Sequence, residues 1–418
     1  MQETPVESQS RISANFPDVE NALPRIWPSM DNYPVIDRVT SFLGRSNPFT
    51  RAADPNQNTV WLFDNTAYRP VHAYPHKPQP FQAEFVACYF IKSSRKDIGK
   101  FVASIADQIG LDGSLGPDQD AETRRTIAER VQPFVYQIAP ARTLKITIPN
   151  PGGALTATLG PSGSNGISSQ IVITGDSSNL EPIHPTTSVP FQPPVQMSTF
   201  FAPPTSSAWT VISDIDDTIK ITKTVSPIGI LKTTFADTPT PTDGMPELYK
   251  YIISHLSPSQ STDPVNFFYL SASPYNLYSF LRTFLHIHYP PGQLILRDNS
   301  WMDLGGLLKS ITQGVQAYKV DRMEKIHEWL PKRKFLCIGD STQSDPEAYA
   351  EIYSKYKGWI GAIFIRRVLD AGDLGEKNKD ERFEKAFKDV PKNVWKVFEK
   401  SEELYQAVDE LAAKGTGS

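Results

Sequence analysis

The sequence predicts an α/β protein: a doubly wound domain in the second half of the chain, preceded by a small β-rich, sandwich-like domain. Three observations predict it. After Trp209, continuous apolar runs of strand length alternate with helical patterns, as strands covered on both faces by helices require. Between Val60 and Ile173, short runs of β-branched and aromatic residues are separated by Gly/Pro turns instead. Between Pro182 and Pro204 there are seven prolines in 23 residues, which favours extended backbone between two units.

The boundaries follow in order. Residues 1–55 are polar with little periodicity, apart from the apolar patch Val35 to Leu43, and read as a loosely ordered leader. Residues 56–181 form the β-rich domain. Val60 to Phe63 and Glu84 to Ile91 are strand-length apolar runs, and Leu144 to Ile148 alternates with the period of two of a half-buried strand. Leu155 to Leu159 and Ile171 to Ile173 follow after glycine-rich turns. A helical insertion, Lys96 to Ile138, places Ile98, Phe101, Val102, Ile105 and Ile109 on one stripe. Residues 182–208 read as a proline-rich connector or an edge segment. In residues 209–418, strands at Trp209 to Ile212, Phe267 to Leu270, Leu294 to Leu296, Phe335 to Ile338 and Trp359 to Ile365 alternate with helices at Pro246 to Leu256, Tyr275 to His286 and Lys319 to Leu330. Val394, Val397, Phe398, Leu404, Val408 and Leu411 suggest a closing amphipathic helix.

Composition narrows the function. Of 418 residues, 39% are apolar and 21% charged, enough for packed cores and too little charge for general disorder. Lys plus Arg (42) against Asp plus Glu (46) leaves a net charge of −4, so no whole-chain field favours nucleic acid. Cys88 and Cys337 are too few for a disulfide framework or a zinc cluster and fit a reducing compartment. No apolar run approaches the roughly 18 residues of a membrane span, and the first residues lack a signal-peptide pattern. A cytoplasmic protein is the expectation.

In an open α/β sheet, ligands bind beyond the carboxyl ends of the strands, so the polar residues after each run are where chemistry belongs. Ser213-Asp214-Ile215-Asp216-Asp217-Thr218 sets three carboxylates within four residues at a strand end. They repel and resist desolvation, and need a cation or a shared proton to coexist. Oxygen-only ligands suit Mg2+ before Zn2+. An acidic turn that only caps the next helix is the plainer reading of that segment alone. Ser271-Ala272-Ser273-Pro274 reads as a hydroxyl followed by Ser273 as helix N-cap with Pro274 at the first helical position, a phosphate cradle or merely a cap. Lys319 stands at a predicted helix start, against the macrodipole, with Lys325 as competitor for its role. In Gly339-Asp340-Ser341-Thr342-Gln343-Ser344-Asp345-Pro346, two carboxylates five apart reach back toward one metal, with Asp345 also a candidate N-cap.

Taken in this order, these four segments resemble the motifs of the haloacid dehalogenase superfamily of phosphotransferases. Ser213 to Lys220, Tyr269 to Tyr278 and Gly339 to Tyr349 are similar, more narrowly, to the fungal actin-patch-associated phosphatidate phosphatases, over Trp209 to Arg367. Thr342 departs from that family, which has glycine there. The resemblance implies a haloacid-dehalogenase-like fold for residues 209–418, after a β-rich N-terminal domain. It makes Asp214 the nucleophile of an aspartyl-phosphate mechanism and Asp216 the general acid and base. It gives Mg2+ as cofactor, held by Asp214, Asp340 and the carbonyl of Asp216, with Ser271 and Lys319 on the phosphoryl group and Thr218 and Asp345 in support. It implies phosphatidate at a membrane surface as substrate, with release of diacylglycerol and phosphate. Location would be cytoplasmic and peripheral to membranes, extending to cortical actin patches. SH3-type or actin-patch partners belong to the same implication; Pro190-Phe191-Gln192-Pro193 formally matches PxxP, a pattern frequent by chance, and reads more readily as plain linker.

About 57 residues separate Asp214 from Ser271 and about 48 separate Ser271 from Lys319, too few for a large cap domain. An open site suits a lipid headgroup, and equally a soluble phosphomonoester or phosphoprotein. The alternative from another class is a non-catalytic lipid- or actin-binding adaptor, which joint retention of Asp214, Asp216, Ser271, Lys319 and Asp340 argues against.

Overall fold

Arg142–Ile148 buries Leu144, Ile146 and Ile148 and exposes Lys145, the outcome a period of two demands of a strand with one face on a core. That strand belongs to a computed structural model describing residues 4–24, 50–71, 79–92, 98–111, 116–177, 180–190, 197–204, 209–257, 264–298, 304–369 and 374–415. The patch Val35 to Leu43 and most of the PxxP match lie outside the described residues.

Among the described residues, the first half contributes ten strands: β1 Arg51–Ala52, β2 Asn58–Leu62, β3 Asn65–Tyr68, β4 Phe81–Ile91, β5 Gln137–Ile138, β6 Arg142–Ile148, β7 Leu155–Leu159, β8 Ile167–Gly175, β9 Thr186–Thr187 and β10 Thr199–Ala202. One sheet runs β1-β6-β7 with β9 against β6. The other runs β10-β3-β4-β2 with β5 and β8 against β4. Val60, Phe81 and Phe85 of the second sheet share one apolar cluster with Leu144, Ile146 and Leu159 of the first. The proline-rich stretch is more than a spacer, because its β10 pairs in parallel with β3.

The second half forms a separate sheet from β11 Trp209–Asp214, β12 Asn266–Pro274, β13 Gln293–Arg297, β14 Lys334–Asp340, β15 Ile360–Arg366 and β16 Trp395–Phe398, ordered β13-β12-β11-β14-β15-β16. Every pair is parallel. Successive residues face opposite sides. Val211 joins a core with the helix Met245–Leu256, and Ile212 joins another with Val315–Trp329 and Asp345–Lys355. This is why the strands read as continuous apolar runs. The architecture is therefore mixed α/β, with several sheets.

The leader and the closing segment differ from the sequence reading. Residues of the leader form the helices Pro5–Ser13 and Phe16–Ala22, and Phe16, Val19 and Leu23 pack into the same core as Val211. Helices this short leave too little pattern to register, and packing supplies their stability. The insertion forms Ile98–Gln108 and Pro117–Val135 as its stripe predicts, and Phe101, Ile105, Ile127 and Phe134 join that core too. Trp395–Phe398 is a strand on β15, so the closing helix is only Tyr405–Gly415, burying Val408 and Leu411.

Ion pairs tie the halves. Arg282 of the helix Tyr278–His288 grips Asp64 with Nε and with Nη2 at 3.0 Å. The Asp64 amide donates to the Tyr278 hydroxyl at 2.7 Å. Lys325 pairs with Glu84 at 2.6 Å. Among the described residues, no helix is long and apolar enough to cross a membrane.

Candidate active site

Parallel register sets Asp214 beside Leu270 and Ser213 beside Ile338. Ser271 and Asp340 consequently emerge next to Asp214 at the carboxyl end of the sheet, where helices leave room for ligands. Asp214 is 1% exposed, Asp340, Asp345 and Lys319 not at all.

Lys319 is the hub. Its Nζ donates to Asp214 Oδ1 at 2.7 Å, to Asp345 Oδ1, and to Gln343 Oε1 at 3.3 Å. The lysine does not open its helix as expected. The helix begins at Val315 after Gly314, so Lys319 lies in its second turn, where the macrodipole argument has no force. The carboxylate of Glu7 accepts from the Gly314 and Val315 amides at 3.3 and 3.2 Å. Lys325, the competitor, is occupied by Glu84.

Asp214 Oδ2 accepts from the Thr218 hydroxyl at 2.9 Å, and that hydroxyl also lies 3.3 Å from Asp340 Oδ2. Asp345 Oδ2 accepts from the Asp340 amide at 3.1 Å. A side chain at Gly339 would bring its Cβ to 2.7 Å from the Asp345 carboxyl carbon, so only glycine allows the close approach. Asp345 is the first residue of its helix and Ser344 the N-cap, correcting the expectation that Asp345 caps it; the carboxylate is turned inward to Lys319 instead.

Asp216 stands apart from this cluster. Its Oδ2 accepts from Ser271 Oγ at 2.6 Å, and its Oδ1 from Thr222 Oγ1 at 2.9 Å. Ser273, a helix N-cap on the sequence reading, is a strand residue, because β12 continues through Pro274. Its amide donates to Ser271 Oγ at 3.0 Å, and its hydroxyl lies 3.4 Å from Asp216 Oδ2. Both serine hydroxyls thus face the acidic loop.

Asp217 is the carboxylate that sequence reasoning left without a role. It takes a left-handed φ of 63° and accepts from the amides of Thr222, Lys223 and Thr224 at 2.7–2.8 Å, closing the segment that follows. Thr224 Oγ1 meets Thr342 Oγ1 at 2.8 Å. The residue that departs from the family pattern therefore joins the first acidic loop to the second. Arg366 Nη1 holds the Asp217 carbonyl at 2.8 Å.

The electrostatics follow from burial. Burial pushes the Asp214 carboxyl well above the usual range; Lys319 opposes this, and Asp345, Asp340 and Asp216 reinforce it. Burial, then Asp345 and Asp217, push Asp340 up to about 7. Burial works against the charge on Lys319, yet Asp214, Asp345 and Asp340 hold its pKa above that of an ordinary lysine. Asp214, Asp340 and Asp345 each present a carboxylate oxygen within 4.8 Å of the others. Three buried carboxylates beside one ammonium cannot all ionise cheaply without a further cation, and the all-oxygen donor set fits a hard divalent one.

Residues 209–367 match the family model described as phosphatidate phosphatase APP1, catalytic domain. The motif resemblance and this match name the same family over the same residues. Over 159 residues the chain is 31% identical to phosphatidate phosphatase APP1 of Saccharomyces cerevisiae, which covers 37% of this chain and 25% of that protein. The chain thus matches about a quarter of that relative's length.

Proposed function

We propose that this protein is a Mg2+-dependent phosphatidate phosphatase of the haloacid dehalogenase type, releasing diacylglycerol and phosphate through an aspartyl-phosphate intermediate. The observation that carries the reading is the convergence of Asp214, Asp340, Asp345 and Lys319 at the ends of β11 and β14, inside the stretch similar to a phosphatidate phosphatase catalytic domain. The parallel sheet, with Asp214 on a central strand and helices against both faces, supports a doubly wound fold. The shared core of the two first-half sheets supports a sandwich-like N-terminal domain; its proposed bounds widen from 56–181 to take in β1, β9 and β10, which pair into its sheets, and the boundary at 208 belongs to the same proposal.

In this mechanism an oxygen of Asp214 attacks phosphorus, and the P–O bond to the leaving alkoxide breaks. Asp216, hydrogen-bonded by Ser271 and Thr222, would protonate that alkoxide and then take a proton from the water that hydrolyses the acyl phosphate. Ser271 and Lys319 supply donors to the phosphoryl oxygens. Thr218 orients the second Asp214 oxygen. Asp214, Asp340 and the Asp216 carbonyl would hold Mg2+, with Asp345 as a further carboxylate. The ion, when bound, neutralises the acidic cluster and lets an anionic substrate approach an anionic nucleophile.

The reading carries with it a cytoplasmic protein peripheral to membranes. Cortical actin patches and SH3-type partners rest on the family resemblance and the proline-rich stretch. The test is phosphate release from mixed micelles of phosphatidate, with and without Mg2+, beside an aryl phosphate. Mg2+-dependent release from phosphatidate is expected. Release from the aryl phosphate alone would move the substrate to soluble phosphomonoesters, and release from neither would return the adaptor reading.

A further inference from the structure

The matched stretch ends at residue 367, yet the acidic loop it contains is held from outside. Between Asp340 and Asp345 the backbone carbonyls of Ser341, Thr342 and Gln343 all point to cations of the segment 377–382. Arg382 Nη1 donates to Ser341 O at 2.6 Å, Arg382 Nη2 to Gln343 O at 2.6 Å, and Lys377 Nζ to Thr342 O at 2.7 Å. Arg382 also donates through Nε and Nη2 to the two oxygens of Glu347, each at 2.9 Å, and through Nη1 to Lys377 O at 2.9 Å. All five guanidinium N–H groups are therefore used, in a planar fork that lysine cannot reproduce.

This arrangement has a physical purpose. Asp340 and Asp345 are buried carboxylates that repel each other and Asp214. The residues between them form no regular element that would resist spreading. Charge-assisted bonds to three successive carbonyls fix the backbone against that repulsion. The Glu347 contact locks the arginine to the first turn of the helix Asp345–Lys355. Gln343, held by its carbonyl, in turn faces Lys319 with its Oε1.

We propose that Arg382, assisted by Lys377, is a positioning residue for the acidic loop, so that the unit competent to bind metal extends past Arg367 to the helix Asp380–Ala386. This rests on the function proposed above.

The test uses the full chain with Arg382→Gln, Arg382→Lys and Lys377→Met. Asp380→Asn is the control, removing an exposed tie from the same helix to Arg367. Mn2+ binding is followed by the loss of the free-ion paramagnetic resonance signal, beside the Mg2+ dependence of aryl phosphate hydrolysis and the melting temperature. Loss of a group that orients metal ligands predicts that Arg382→Gln raises the Mn2+ dissociation constant and the Mg2+ half-saturation point about tenfold or more. Arg382→Lys and Lys377→Met should fall between it and wild type, and Asp380→Asn should stay within about twofold, as for an exposed pair. A folded Arg382→Gln with wild-type metal dependence overturns the proposal. If that variant does not fold, wild-type metal dependence in both Arg382→Lys and Lys377→Met overturns it. A wild type that binds Mn2+ without hydrolysing anything sinks the phosphatase reading alone, since the clamp is still judged by binding. A wild type that binds no Mn2+ sinks both.

Discussion

The two halves of the molecule bury charge to opposite ends. Asp64, in the first half, is matched on every side: its oxygens accept from Arg282 and from the Ser198 amide at 2.6 Å, and its own amide donates to Tyr278. In the second half, Lys319 pairs with Asp214 and Asp345, and Asp340 brings a third carboxylate oxygen within 4.8 Å of theirs. A buried charge whose partners cancel it holds parts together. A buried cluster with more carboxylates than paired cations stays costly until a proton or a cation enters, and that is the mark of a site.

The largest effect expected from this contrast is on turnover. Asp214→Asn keeps shape and removes the nucleophile, so hydrolysis should fall by more than about a thousandfold. Its melting temperature without metal should not drop, because one repelling carboxylate is gone. Near wild-type phosphate release from this variant would show that the cluster is not the reacting centre. Asp64→Ala should do the reverse. It leaves the half-buried Arg282 without its carboxylate and should cost about 2 kcal/mol in urea unfolding, while the folded fraction keeps its specific activity. A loss of activity at undiminished stability would erase the distinction between the halves.

The smallest effect is on pH dependence. The folded pKa of Asp340 is raised to about 7 from an ordinary 3.8. The folded state therefore holds a proton that the unfolded chain releases. Its contribution to stability is full below 3.8 and is lost as pH rises through about 7. In metal-free protein, the melting temperature of wild type relative to Asp340→Asn should fall across that window and level off above it. A flat difference would mean that burial and the neighbouring carboxylates do not load Asp340.

Much of this is legible in the sequence because strand order and chemistry share one signal. Continuous apolar runs mark the strands of the parallel sheet, and the polar residues that end them, Asp214, Ser271 and Asp340, come together since parallel strands finish on the same side. Lys319 can be found despite a misplaced helix start, because the residue stands out and its element does not need to. What escapes is non-local. Asp217 looks equivalent to its neighbours in sequence, and only a left-handed backbone turns its carboxylate onto Thr222 to Thr224. Arg382 carries no local signal, since an arginine in a charged helical stretch is ordinarily solvated. The short helices before residue 24 join the core of the second sheet through Phe16, Val19 and Leu23, which no periodicity over seven residues can announce.

The grip of Glu7 on the amides of Gly314 and Val315 has a consequence for biosynthesis. The two partners lie 307 and 308 residues away in the chain. At ribosomal speeds of about 5–20 residues per second, the glutamate waits roughly 15–60 s for the helix it caps. During that interval Phe16, Val19 and Leu23 have no complete core to enter. They are the segment on which a chaperone would be expected to linger. A bulky fusion joined just upstream of Glu7 would compete with the last step by which the lysine-bearing helix acquires its cap.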